Sequence, residues 1–125
     1  MLTPCEVAVK TVSPALRALL AQTLMKKHEM KETQVAQILG ITQSAVSKYS
    51  RRVRGTTIPI DNLPEIHALS DQMVAFLLSN PVNQVEVMKL FCQACTLIRS
   101  KHLMCPLCQQ NHNPKIDSCD FCFDP

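Results

Sequence analysis

Six of the seven cysteines fall in the last 34 residues, as three Cys-x-x-Cys pairs: Cys92/Cys95, Cys105/Cys108 and Cys119/Cys122. Two thiolates three residues apart, on one helix face or in a tight knuckle, can hold one metal ion or two corners of a cluster. One such pair is weak evidence. Three pairs separated by nine and ten residues point to thiolate ligation. Six sulfurs exceed the four that one zinc ion or one [4Fe–4S] cluster needs, so two are left to spare, to pair by oxidation, or to exchange as ligands. His102 and His112 lie close enough in sequence to complete a mixed site, but with six thiols present they read better as surface or hydrogen-bonding residues. Arg99 and Lys101 stand beside the pairs, where positive charge would lower a thiol pKa and favour ligation, although a solvated helix end accounts for them equally well.

A second stretch carries different chemistry. In residues 32–54, ETQVAQILGITQSAVSKYSRRVR, the side chains Val35, Ala36, Leu39, Ile41, Val46 and Tyr49 repeat at helical spacing on both sides of Gly40. That pattern predicts two helices sharing a core, joined by a turn. Gly40 suits the positive φ of a helix end, and Ala36 is small enough for the second helix to cross closely. Thr42 is placed to cap that second helix. Gln43, Ser44, Ser47 and Lys48 then occupy its first turns and outer face, the positions that a recognition helix presents to base edges. Arg51, Arg52 and Arg54 follow at once and suit phosphate contacts that fix docking register. The bland alternative, a pair of core helices with a solvated charged loop, leaves the coincidence of small residue, glycine, cap, polar first turn and arginines unexplained.

These groups need elements to position them. Ser13-Pro14 opens a helix through about His28, with Leu16, Leu19, Leu20, Thr23 and Leu24 on one stripe that should pack across the pair. Before it, residues 1–12 fit either a short helix or an extended arm, and Cys5 reads as a small buried hydrophobe. Asp61 or Asn62 should cap a helix beginning near Pro64 and ending near Ser79. Its many apolar positions, from Leu63 to Leu78, imply a sandwiched helix or one facing a second subunit. Asn83 should cap another helix to about Arg99, with Val85, Met88, Phe91, Cys92, Cys95 and Ile98 on one face. Only Cys105-Pro-Leu-Cys108 has the look of a knuckle. The expected fold is therefore all-α: a helix-turn-helix bundle in residues 1–60, then residues 61–125 as a helical dimerisation segment and a small cysteine-rich tail.

The stretch QVAQILGITQSAVSKYS resembles the helix-turn-helix of the XRE/lambda-repressor family, and TPCE with SPALRALLAQTLMKKH resembles its archaeal branch. That branch includes the DNA-binding half of archaeal thiamine-biosynthesis regulators and stand-alone regulators with an iron–sulfur-binding cysteine tail. The likeness covers residues 3–55 closely and the tail only by its cysteine pattern. It implies a lambda-repressor-like bundle, a double-stranded DNA operator, a homodimer, and a structural role for Cys5. It also tips the choice of cofactor towards a [4Fe–4S] cluster that reports redox or iron–sulfur status; the alternative is a structural zinc site serving dimerisation or a partner.

Composition sets the outer limits. At 125 residues with two glycines, no Trp and few aromatics, the chain suits one small helical protein without a generous core. The net charge of +3 is unevenly spread: nine Lys/Arg against three acids in residues 1–60, and four against seven in residues 61–125. Such a chain presents one end to phosphate and keeps the other off it. No apolar run exceeds the six residues MVAFLL and no signal-peptide core opens the chain, so a cytoplasmic protein without a membrane span is expected. In that compartment cysteines serve metal or redox chemistry rather than a disulfide framework. An enzyme is not expected. A thiol oxidoreductase would need the βαβ frame that this sequence lacks.

Overall fold

The structure, a computed structural model, describes residues 3–51, 58, 60, 63–79 and 83–110. Every regular element among them is a helix. α1 (Pro4–Lys10) settles the open question at the start of the chain, and a reciprocal cap explains why. The Thr3 Oγ1 accepts from the Glu6 N–H at 3.3 Å, and the Thr3 N–H donates to the Glu6 carboxylate at 2.8 Å. Two of the orphan donors of a helix start are thereby satisfied.

α2 (Val12–Lys27) begins one residue before the expected Ser13, after Thr11, whose buried hydroxyl donates to the Val7 carbonyl at 2.7 Å. Leu16, Leu19, Leu20, Thr23 and Leu24 are all buried, and so are Val12, Ala15, Ala18 and Ala21. Burial thus reaches beyond the single predicted stripe, because α2 is touched by α1 and by four later helices. Each fully buried leucine contributes roughly 1.5–3 kcal/mol, so this central helix supplies a large share of the core.

α3 (Glu32–Leu39) and α4 (Gln43–Ser50) follow at the predicted places. Between them Gly40 has φ 67° and ψ 33°, the left-handed conformation, and its N–H bonds the Ala36 carbonyl. The N–H of Ile41 donates to the same carbonyl at 3.1 Å. Val35, Ala36, Val46 and Tyr49 are buried against α2, and the Gln22 amide donates to the Tyr49 carbonyl at 3.4 Å.

α5 (Pro64–Leu77) and α6 (Gln84–Ser100) pack against each other more extensively than any other pair of helices. Asn83 caps α6 as predicted, accepting from the Glu86 N–H at 3.3 Å. The cap of α5 differs: Leu63, in extended conformation and without a side-chain bond, holds that position, and Asp61 and Asn62 lie outside the described residues. The face of α6 is also rotated from the predicted one. Ile98 is buried and Phe91 and Cys95 pack half-buried on the core as expected, but Leu90 and Ala94 are buried as well, whereas Val85, Met88 and Cys92 are exposed. Ala94, wholly buried, leaves room for close packing, and that seam outweighs the neighbouring stripe that the spacing alone favoured. α7 (Cys105–Gln110) is a six-residue helix that packs on α1, with Met104 buried just before it. The core runs continuously from Val7 to Met104.

Candidate functional site

Two groups of residues carry the chemistry read from the sequence. The first is the outer surface of α4. Thr42 is its N-cap, the Oγ1 accepting from the Ala45 N–H at 3.1 Å, which orients the first turn. Gln43 and Ser44 in that turn are exposed, and Ser47 and Lys48 are half-buried one turn on. Behind them Val46 and Tyr49 fix the opposite face in the core, so the polar side cannot rotate inward. Arg51, the C-cap, is exposed, and its Nε donates weakly to the Ser47 carbonyl at 3.4 Å. The structure therefore brings Thr42, Gln43, Ser44, Ser47, Lys48 and Arg51 onto one short helix and its ends. Arg52 and Arg54 lie outside the described residues.

The second group is the thiols. Cys92 and Cys95 lie one turn apart on α6, Cys92 exposed and Cys95 half-buried. Burial pushes the Cys95 thiol above its ordinary value of 9.0, and negative charge on Cys92 or Cys5 would push it the same way. Arg99, one turn further along α6, pulls it down by its charge and a hydrogen bond, without prevailing. Arg99 thus acts on Cys95 in the expected direction, but desolvation outweighs the guanidinium and the thiol ends above its ordinary value. Lys101 is engaged elsewhere, with Glu65 at 3.3 Å.

Cys105 and Cys108 open α7, and so form a helical turn rather than the expected knuckle. The N–H of Cys108 bonds the Met104 carbonyl at 3.1 Å in that turn. His102, read as a surface or hydrogen-bonding residue, is exposed, and its Nδ1 lies 3.9 Å from the Cys105 sulfur. It also adopts φ 64°, unusual for a side-chain-bearing residue, in the turn that leads to α7. Cys119, Cys122 and His112 lie outside the described residues.

Cys5 corrects another reading. It is exposed in the first turn of α1 rather than buried as a small hydrophobe, and a negative charge there would push the Cys95 thiol further up. No spacing rule could have found it, since a lone cysteine 87 residues before Cys92 carries no pairing signal. Among the described residues, no three ligand-type side chains converge on a point where a metal ion could sit. The thiols are chemically suited to soft metals, and four of the six paired ones lie among the described residues, two on α6 and two on α7.

Comparison with known proteins adds no identity: the chain matches no family model, no curated protein and no solved structure. Among the described residues, no helix is long and apolar enough to cross a membrane.

Proposed function

We propose that the chain is a sequence-specific, double-stranded-DNA-binding transcriptional regulator, with α3 and α4 as its helix-turn-helix and α4 as the recognition helix. The observation that supports this best is the outer face of α4: Gln43 and Ser44 exposed in a first turn that Thr42 caps, with the opposite face locked in the core. Gln pairs in bidentate fashion with adenine in the major groove, and Ser accepts or donates to any base. Lys48, one turn on, belongs to the same base-facing set, and Arg51, at the helix end, suits a phosphate contact. Selection of bound duplexes from a random pool tests the reading. Recovery of one preferred sequence is expected, and uniform weak binding of the whole pool would overturn it.

The regulator acts as a homodimer, since one recognition helix covers only a short half-site and useful affinity takes two, about one DNA turn apart. Leu78 and Val85, exposed by 42% and 55% near the junction of α5 and α6, are apolar side chains available to such an interface. The cysteine-rich end is the regulatory part, ligating a [4Fe–4S] cluster through four of Cys92, Cys95, Cys105, Cys108, Cys119 and Cys122. The spacing of the three pairs supports this. A structural zinc site is the second reading, and the 3.9 Å approach of His102 to Cys105 favours it, because zinc takes mixed nitrogen and sulfur ligands. Anaerobic purification separates the two: a cluster gives brown protein with iron and sulfide, zinc gives colourless protein with zinc alone.

A further inference from the structure

A cleft of about 420 Å³ opens where α2, α3, α5 and α6 meet, within the size range of small-molecule sites. Its walls are apolar, with Leu20 from α2, Leu39 from α3, and Val87 and Phe91 from α6. Polar groups are few, and the charged one is Arg17. The guanidinium of Arg17 stands 5.8 Å from the centre of the Phe91 ring, which fixes it at the cleft by a cation–π contact. At that distance the contact leaves the guanidinium N–H donors open to a ligand. No carboxylate among the described residues takes them: the acids in ion pairs there, Asp71, Glu86 and Glu65, answer Lys27, Lys89 and Lys101.

An apolar recess with one oriented, uncompensated cation calls for an occupant with an apolar body and one anionic end. We propose that this cleft binds a small amphipathic monocarboxylate, its carboxylate on the Arg17 guanidinium and its hydrocarbon part between Leu39 and Phe91. Planar carboxylate and planar guanidinium match in a two-bond fork, the geometry in which arginine exceeds lysine. Such an occupant touches α6 and the residue next to Gly40 at once, so it joins the α3–α4 pair to the α5–α6 pair. Any effect on DNA affinity rests on the function proposed above; the binding itself does not.

The test is calorimetric titration of the full chain, without DNA, with octanoate and with 1-octanol as probes. One saturable octanoate site per chain is expected, with octanol at least tenfold weaker, about the worth of a charge-assisted hydrogen-bonded pair. Arg17→Gln, a change at an exposed position, should reduce octanoate to the level of octanol. Met88→Trp enlarges an exposed side chain that lines the cleft and should block both probes, with helix content unchanged by circular dichroism. Absence of a saturable octanoate site, equal binding of the two probes, or indifference to Arg17→Gln would overturn the proposal. So would release of a second subunit by octanoate, which would mark the cleft as a subunit contact. Because DNA is absent, failure here leaves the DNA-binding reading standing, and failure to select an operator leaves this one standing.

Discussion

The guanidinium of Arg99 draws the thiol of Cys95, one turn earlier on α6, towards ionisation, yet burial of the half-buried thiol prevails and holds its pKa above the ordinary value. A cation beside a cysteine is therefore not enough to make it reactive. What matters is the balance between charge and desolvation.

In metal-free protein, alkylation by iodoacetamide should accordingly be slower at Cys95 than at the exposed Cys92 and Cys5, and its rate should keep rising above pH 9.0. The linked stability has a definite sign. A thiol whose folded pKa is raised contributes stability that is complete below 9.0 and is lost as pH rises through the higher folded value. Mass spectrometry of peptides after timed alkylation reads the order, and Cys95 labelling as fast as Cys92 at neutral pH would contradict it.

On the selected operator, Gln43→Ala should lose about 1–3 kcal/mol and relax the base preference. Arg51→Ala should instead weaken all duplexes alike and lower the salt slope by about one unit. Fluorescence anisotropy at several salt concentrations measures both. The same loss of specificity from each would remove the division between base and phosphate contacts.

Gly40 and Thr42 hold the turn by different means, and stability measurements can separate them. A Cβ at Gly40 would meet nothing within 4 Å, so Gly40→Ala is penalised through its φ of 67° alone, by about 1–2 kcal/mol. Gly40→Asn should lose less, because Asn tolerates the left-handed region. Thr42→Ala removes the cap on α4 and should lose about 1 kcal/mol. Urea denaturation of the three variants gives the values, and a neutral Gly40→Ala would show that the turn is free to change conformation.

Ser70 is the converse case, a polar group where an apolar one would serve better. Its side chain is 1% exposed in α5, and its hydroxyl has no hydrogen-bond partner among the described residues. Ser70→Ala should leave the fold intact and raise stability by about 1 kcal/mol, the desolvation penalty of an unpaired hydroxyl. A clear loss of stability would reveal a partner for that oxygen.

If Leu78 and Val85 lie in the dimer interface, Leu78→Glu with Val85→Glu should shift the protein to monomer at micromolar concentration with little change in helix content, since both are exposed in the single chain. Light scattering decides. A wild-type monomer, free and on DNA, would contradict the dimer itself.

What the sequence by itself determined is the local architecture: the α2 stripe from Leu16 to Leu24, the stop at Gly40, and the caps at Thr42 and Asn83. Each depends on residues within a turn or two of one another, where spacing and backbone preference act directly. What only the tertiary structure decided is how those pieces face one another. Periodicity placed Val85, Met88 and Cys92 on the buried side of α6, and packing against α5 buried Leu90 and Ala94 in their place. A cysteine knuckle was expected at Cys105, and a helical turn stands there, resting on α1. Cys5 came within electrostatic reach of Cys95, and Arg17 onto Phe91, across gaps of more than seventy residues. Such meetings carry no signature in a single chain, because burial and cross-chain charge arise only after the helices have packed.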